Sequence, residues 1–233
     1  MTQSPQFEPL RFQHLSPDEQ RTQSELFLAR MRTRRLVEQF STEPVPIELI
    51  KNAIAAAGTA PSMGLQQPWH FVIVSDPAIK RRIREAAEAE ERENFEHRMR
   101  RDYLEALTSV GRSWQKPHYE VAPYLVVVFA QTYSISYDLA TGHEIKTPNF
   151  FVTEAVGLAI GILMCALHQS GLATSIDTPS PMGFLNEILQ RSASDRAYLI
   201  MPVGYPAPDA RVPIISTKPP DDIMTEFGGE IDQ

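Results

Sequence analysis

Three short segments of this sequence contain residue types that can bind and orient a ligand. The first is an arginine cluster at Arg32, Arg34 and Arg35, and guanidinium groups can grip a phosphate through paired hydrogen bonds. The cluster follows a predicted helix, so it also fits a solvated helix end, where cations are favourable. The residues alone leave both interpretations open.

The second and third segments are loops in which small residues and prolines are concentrated. Residues 59–69 connect a predicted helix to a predicted buried strand, and small residues there let backbone amides approach a flat ligand. That loop could equally be a tight connection. Residues 177–181 are predicted to form a rigid turn that holds the hydroxyl of Thr178 in place, but a hydroxyl there does not indicate a particular chemistry. None of the three segments identifies a reaction by itself.

The composition argues against two classes of function. The net charge is −7, from 22 basic and 29 acidic residues, whereas nucleic-acid binding draws most of its affinity from Lys and Arg contacts to phosphates. The six histidines are not paired at i, i+4, and there is a single cysteine, so the ligand spacings of a metal site are missing. We therefore expect neither a nucleic-acid partner nor a bound metal.

The single cysteine and the N-terminus favour a soluble, cytoplasmic protein. Cys165 cannot form an intramolecular disulfide, which suits a reducing compartment. Residues 1–20 are polar and lack the basic and apolar regions of a signal peptide. The longest apolar run is expected to be too short and too interrupted to span a membrane, so no membrane partner is expected.

The periodicity of the sequence predicts the elements that must position the three segments. A capping box at residues 16–19 opens a first helix, and Pro46 opens a second. Residues 149–170 are apolar nearly all round and predict a central buried helix. Strands are predicted at 69–74, 124–129, 173–178 and 198–203. Strands and helices do not alternate regularly, and no Gly-x-Gly-x-x-Gly follows a strand, which favours an α+β fold over a dinucleotide-binding one.

Taken in order along the chain, these segments resemble the FMN-dependent nitroreductase superfamily, and within it the iodotyrosine deiodinase (halotyrosine dehalogenase) subgroup. The superfamily motifs are Arg34-Arg35, Val45-Pro46, residues 57–62, residues 67–72 and residues 202–206. The subgroup motifs are Glu90-Glu91, Arg98-Met99, Trp114-x-Lys116, Ala122-Pro123 and Thr178-Pro179. The resemblance extends from Arg34 to Met224.

The resemblance implies an α+β, nitroreductase-like fold with a central mixed sheet packed by helices. It also implies non-covalently bound FMN and a domain-swapped, obligate homodimer with active sites at the subunit interface. The FMN domain would span residues 31–226 and include a charged helical lid at about 88–111. An N-terminal extension with the first helix would occupy residues 1–30, and a C-terminal tail residues 227–233.

The flavin contacts of the family match positions in this chain one by one. Arg34 and Arg35 match contacts to the flavin phosphate and ring, and Ser62 matches a contact in the loop. Thr178 matches the hydroxyl that hydrogen-bonds flavin N5 and is the implied catalytic residue. Such a donor favours one-electron steps over hydride transfer, so the protein tunes chemistry that the flavin supplies. The implied cofactor-binding set is Arg34, Arg35, Leu36, Pro61, Ser62, Met63, Asp177, Thr178, Thr217 and Lys218.

The clamp by which the family holds the zwitterion of a halotyrosine also has matching positions. Glu91 matches the carboxylate that binds the ammonium, and Lys116 the lysine that binds the carboxylate; without the resemblance, Glu91 would be one charge of many on a solvated helix. Phe95 stands where the family has Tyr, on the same helix face as Glu91, and the missing hydroxyl removes a hydrogen bond worth roughly 0.5–1.5 kcal/mol. Gly64 matches the residue whose backbone N–H receives the substrate phenolate.

Three further positions depart from the family pattern. Met63 stands where the family usually has Gly, and Leu36 where Ser or Thr usually follows the two arginines. Thr217 stands where an Arg usually helps to bind FMN, with Lys218 beside it. Flavin binding would then depend on the arginine pair together with Lys218.

The favoured hypothesis is FMN-dependent reductive dehalogenation of a halogenated tyrosine, with electrons from NAD(P)H directly or from a reductase. A second hypothesis is a general nitroreductase or quinone-type FMN oxidoreductase on another phenolic or nitroaromatic substrate, which would need no zwitterion clamp. A third is a flavin-binding or ligand-sensing protein without turnover. Because residues 88–111 are mostly charged, we expect this lid to be disordered without substrate.

Overall fold

The computed structural model describes residues 7–228. Residues 1–6 and 229–233, which belong to the predicted N-terminal extension and C-terminal tail, lie outside the described residues. Helices α1 to α7 are Pro17–Thr33, Ile47–Ala57, Pro77–Glu93, Arg101–Ser109, His118–Val121, Val152–Gln169 and Phe184–Ile188. Strands β1 to β6 are Trp69–Val74, Tyr124–Gln131, Tyr133–Tyr137, Glu144–Pro148, Ala173–Thr174 and Asp195–Gly204.

Four of the strands form one antiparallel sheet in the order β1-β2-β6-β5, and β3 and β4 form a separate antiparallel hairpin. The α+β class is confirmed. The sheet differs from the mixed sheet that the resemblance implies, because each ladder among the described residues is antiparallel. The parallel contact is an isolated bridge between Leu36 and Thr174, which joins the segment after α1 to the edge of the sheet.

Both faces of the central strand β2 are buried, so its alternating side chains build two cores. Its even-numbered residues from 126 to 130 pack against α2 and α6. Its odd-numbered residues from 125 to 129 pack against α3, α5 and α7. A strand buried on both faces is an unbroken apolar run in the sequence, and the result is a sheet between two layers of helices.

Helix α1 begins with the predicted capping box but has little contact with the rest of the chain. Ser16 Oγ accepts a hydrogen bond from the Glu19 backbone N–H at 3.4 Å, and the Glu19 carboxylate accepts one from the Ser16 N–H at 2.8 Å. None of the 17 helical residues is buried, and Leu26 and Phe27 are 58% and 57% exposed. Neighbouring apolar side chains that are exposed in this way are typical of a contact surface.

The apolar sequence of helix α6 predicts burial on all sides, but the structure buries only one face. One face packs against α2 and the sheet, whereas Gly157, Leu158 and Gly161 on the other face are exposed. The helix has 18 residues with a mean hydropathy of 1.5, so it reaches the length and composition of a membrane span, contrary to expectation. This is weak evidence for a span, because the core helix of a soluble protein meets the same criteria.

The charged segment at about 88–111 is mostly helical in the structure. Helix α3 continues to Glu93, a π-helical turn follows at Asn94–Arg98, and α4 completes the segment. Its expected disorder without substrate therefore stays a prediction for experiments in solution.

Candidate active site

A cavity of about 430 Å³ lies between the end of α3, α4 and the turn that follows β5, within the size range of small-molecule sites. Glu91, Phe95, Lys116 and Thr178 all line it. The structure thus brings together three of the predicted substrate contacts and the predicted catalytic hydroxyl, although they lie far apart in the sequence.

Glu91 and Phe95 reach this cavity from two kinds of helix. Glu91 is in the last turn of α3, whereas Phe95 lies in the π-helical turn Asn94–Arg98. Such turns are rare and often occur at functional sites. In the same turn, the side-chain amide of Asn94 donates to the Ser180 carbonyl at 2.8 Å, which ties the charged segment to the rigid turn after β5.

Lys116 and Glu91 place opposite charges side by side in the cavity. Lys116 is 4% exposed, and its Nζ lies 3.9 Å from Glu91 Oε2 and 3.4 Å from Asp177 Oδ1. Burial raises the pKa of Glu91, and the positive charge of Lys116 offsets this only in part. A zwitterionic amino acid presents the same two charges, so it can replace this internal pair with two charge-assisted contacts of its own.

Asp177 lies within a buried network of charged groups. Its carboxylate lies 3.2 Å from Arg112, 3.4 Å from Lys116 and 3.1 Å from His118. Burial opposes ionisation, but the hydrogen bond from His118 and the charges of Lys116 and Arg112 outweigh it and lower the pKa of Asp177. Its backbone N–H and C=O both pair with Ile200. The polar groups of Asp177 are therefore engaged within the chain, and its predicted flavin contact gains no support from them.

Glu38 joins the same network through an ion pair with Arg112. Ligand atoms of Glu38, His118 and Asp177 lie within 4.8 Å of one another, close enough to share a cation. The guanidinium of Arg112 and the ammonium of Lys116 already neutralise the two carboxylates, so we interpret the cluster as an ion-pair network. Arg112 and His118 were not singled out from the sequence, because neither belongs to a motif.

A second cavity, of about 500 Å³, adjoins the first, since Arg112 lines both. Arg34, Arg35 and Leu36 lie on its wall. Nη1 of Arg34 is buried and has no hydrogen-bond partner within residues 7–228, which is costly unless a ligand supplies an acceptor. The arginine pair therefore fits an anionic group such as the phosphate of FMN.

The end of α1 and the edge of the sheet fix this arginine pair. Arg34 is the first residue beyond α1, with an extended backbone whose N–H donates to the Met31 carbonyl at 3.1 Å. Three residues on, the Val37 N–H donates to the Thr174 carbonyl at 2.9 Å. Arg32 is exposed, but Arg34 and its neighbour are partly buried. The pair is therefore more than a solvated helix end.

Several predicted contacts do not come together within one chain. Among the described residues, those that line the two cavities include none from 61–64, and neither Thr217 nor Lys218. Ser62 Oγ instead accepts a hydrogen bond at 2.9 Å from a backbone N–H of its own loop. Gly64 has a φ of 58°, a left-handed conformation that favours glycine.

Known proteins are similar in sequence to this chain over most of its length. A model of the nitroreductase family matches residues 31–205. The iodotyrosine deiodinase of Haliscomenobacter hydrossis is 44% identical over 227 residues, which cover 97% of this chain and 100% of that protein. Iodotyrosine deiodinase 1 of Homo sapiens is 36% identical over 217 residues, which cover 93% of this chain and 73% of that protein.

Solved structures share the fold. A crystal structure of oxidized iodotyrosine deiodinase bound to FMN and 3-iodo-L-tyrosine matches with a TM-score of 0.72 and 27% identity, over 87% of this chain and 99% of that one. A BluB-like flavoprotein from Clostridium difficile 630 matches with a TM-score of 0.64 and 19% identity, over 86% of this chain and 98% of that one. At that lower identity, the likeness shows the fold alone.

Proposed function

The chain belongs to the nitroreductase family, and from this we propose that it is an FMN-dependent reductive dehalogenase of halogenated tyrosines. The observation with most weight is the cavity that Glu91, Phe95, Lys116 and Thr178 line together. Relatives named iodotyrosine deiodinase cover most of the chain, and the solved one binds FMN and 3-iodo-L-tyrosine. The cavity lining, the sequence relatives and the solved structure all support dehalogenation of a halogenated tyrosine.

FMN, when bound, supplies two electrons which, with a proton, replace the halogen by hydrogen and release halide. In this proposal Arg34 and Arg35 bind its phosphate, which gives the buried Nη1 of Arg34 the acceptor that it lacks. Thr178 is exposed on the wall of the substrate cavity and offers its hydroxyl to the flavin ring. Leu36 and the loop at 61–63 are further proposed cofactor contacts.

Glu91 and Lys116 bind and orient the substrate in this proposal. Glu91 accepts hydrogen bonds from the ammonium of the halotyrosine, and Lys116 donates to its carboxylate. Both groups are shielded from water, so these contacts are screened less than surface ion pairs. Asp177 stays beside Lys116 and balances its charge while the substrate is absent. Phe95 supplies a ring next to the zwitterion but no hydroxyl.

A second copy of the chain completes the site in this proposal. Leu158 on α6 is 51% exposed, as are apolar residues of α1, and a soluble monomer rarely leaves such surfaces open. The loop at 61–64 lines neither cavity of its own chain. In a domain-swapped homodimer, this loop reaches the cavity of the other subunit, where Gly64 offers its backbone N–H to the substrate phenolate.

The electron donor, the location and the domain limits are parts of the same proposal. Reduction requires an external donor, either NAD(P)H directly or a separate reductase. The single cysteine supports a cytoplasmic location. The FMN domain at 31–226, with its lid at about 88–111, lies between the N-terminal extension at 1–30 and the tail at 227–233.

Two features of the cavity favour a second candidate function, a nitroreductase or quinone-type reductase on the same fold. Phe95 lacks the hydroxyl that completes the family's clamp, and Met99 and Leu107 add apolar surface to the cavity. A flat, uncharged aromatic acceptor would fit such a lining without using the charges of Glu91 and Lys116.

The substitution Glu91→Gln separates the two candidates. It removes the charge that binds the substrate ammonium, so kcat/KM for diiodotyrosine should fall by roughly 10- to 100-fold, the loss expected for a charge-assisted hydrogen bond. Reduction of a nitroarene by the same variant should stay within about twofold. Steady-state rates on both substrates make the comparison.

Glu90→Gln is the matched control, because Glu90 is adjacent in sequence but pairs with Arg98 at 3.1 Å and does not line the cavity. Its rates should stay near those of the unmodified protein. Equal losses on diiodotyrosine and on the nitroarene in Glu91→Gln would contradict the clamp, and an unchanged diiodotyrosine rate would favour the second candidate.

A further inference from the structure

Arg211 lines the same cavity as Arg34 and Arg35. It belongs to no sequence motif and lies in a proline-rich segment without periodicity. The resemblance points to Lys218, beside Thr217, as the residue that assists the arginine pair, but neither residue is among the described residues that line this cavity. Arg211 therefore adds a further positive charge to the wall that contains the arginine pair.

Hydrogen bonds to Gln39 fasten the segment that contains Arg211 to the segment after α1. The Gln39 side-chain carbonyl accepts from the Arg211 backbone N–H at 2.6 Å, and its backbone carbonyl accepts from the Ala207 N–H at 2.9 Å. The guanidinium of Arg35 in turn donates to the Pro213 carbonyl. These contacts hold Arg211 on the cavity wall close to the arginine pair.

Among the described residues, positive charges outnumber carboxylates on this cavity wall. Four arginines line the cavity, and its single carboxylate, that of Glu38, is paired with Arg112. Within the described residues 7–228, no carboxylate oxygen lies close enough to Arg34, Arg35 or Arg211 to form an ion pair, that is, within 4.0 Å. Cations grouped in this way repel one another, and a phosphate with nearly two negative charges relieves that repulsion.

We propose that Arg211 binds the terminal phosphate of the flavin, and that it replaces the arginine which the family has at the position of Thr217. The inference rests on the proposed function, because it takes FMN to be the ligand of this cavity. It adds a cofactor-binding residue specific to this chain, and it explains how the chain can lack an arginine at position 217 and still bind FMN.

Binding of FMN and of riboflavin, which lacks the phosphate, tests this proposal. Protein freed of flavin is titrated with each compound, and quenching of flavin fluorescence gives the dissociation constant. Arg211→Gln should weaken FMN binding by about tenfold, at the lower end for a charge-assisted contact because Arg211 is exposed. Its affinity for riboflavin should stay within about twofold, and Arg211→Lys should recover part of the loss for FMN.

Arg196→Gln is the matched control, since it removes an exposed positive charge outside the cavity lining, and it should change FMN affinity little. Unchanged FMN binding in Arg211→Gln, or equal losses for FMN and riboflavin, would overturn the proposal. If the unmodified protein bound neither flavin, the proposed function would fail as well. If the unmodified protein binds FMN and Arg211→Gln binds it equally well, only the role of Arg211 is overturned and the proposed function stands.

Discussion

Phe95 lines the substrate cavity beside Glu91 and lacks the hydroxyl found at this position in the family's clamp. The substitution Phe95→Tyr should restore one hydrogen bond to the zwitterion, worth roughly 0.5–1.5 kcal/mol. We therefore expect the KM for diiodotyrosine to fall by about 2- to 10-fold. Steady-state kinetics measure this, with 2-iodophenol as the control substrate because it has no zwitterion. A KM that rises, or an equal change for 2-iodophenol, would argue against the clamp.

At this scale, the sequence pointed to the residues that line the cavity better than to the residues that hold them in place. Glu91 and Lys116 could be matched because they belong to motifs. The network around Asp177 could not, since its other members come from distant parts of the chain, at Glu38, Arg112 and His118. Only the folded chain brings such groups into contact, and burial then makes their pairing necessary.

The proposed lid, formed by the end of α3, the π-helical turn and α4, has few contacts with the rest of the chain. Arg92 lies over the ring of Trp114 at 4.2 Å, and Asn94 donates to Ser180. The ion pairs of the π-helical turn and α4, such as the one between Arg101 and Glu105, are largely exposed and add little stability. We expect the lid to open readily and to close when substrate bridges Glu91 and Lys116.

Limited trypsin digestion measures this opening, since four arginines in the lid offer cleavage sites. They are Arg92, Arg98, Arg100 and Arg101. With the flavin oxidised, saturating diiodotyrosine should slow cleavage in the lid by about tenfold or more, whereas 2-iodophenol should not, because it cannot bridge the two charges. Cleavage at equal rates with and without diiodotyrosine would show that the lid does not respond to substrate.

The elements themselves were predictable where one pattern dominates. Strand β2 is an almost unbroken apolar run because both of its faces are buried, β1 and β6 contain shorter apolar runs, and the capping box sets the start of α1. The hairpin of β3 and β4 was missed because its residues are mostly exposed on both faces and have no core periodicity. Helix α6 was predicted to be fully buried, since an apolar sequence does not distinguish the core from a subunit interface.

At the scale of the whole molecule, the exposed face of α6 and the exposed apolar residues of α1 support a homodimer. Leu158 is the test position: Leu158→Glu should cost about 2 kcal/mol or more in association if this face is buried between subunits. The dissociation constant should then rise by over roughly 30-fold, which size-exclusion chromatography with light scattering can follow. FMN binding should weaken in parallel if the second subunit completes the site.

Val121→Glu is the control for this substitution, because Val121 is 40% exposed on α5, in the helix layer on the other side of the sheet. It should leave the oligomeric state unchanged. A Leu158→Glu protein that stays dimeric, or an unmodified protein that is monomeric with FMN bound, would contradict the proposed assembly.

The central claim is that this chain uses FMN to remove halide from a halogenated tyrosine. Its most direct test is anaerobic: the bound flavin is reduced, diiodotyrosine is added, and flavin absorbance is followed while free iodide is assayed. We expect the flavin to be reoxidised and iodide to appear in proportion to the flavin oxidised. Reoxidation by a nitroarene, with neither reoxidation nor iodide release from diiodotyrosine, would contradict it and assign the cavity to a nitroreductase.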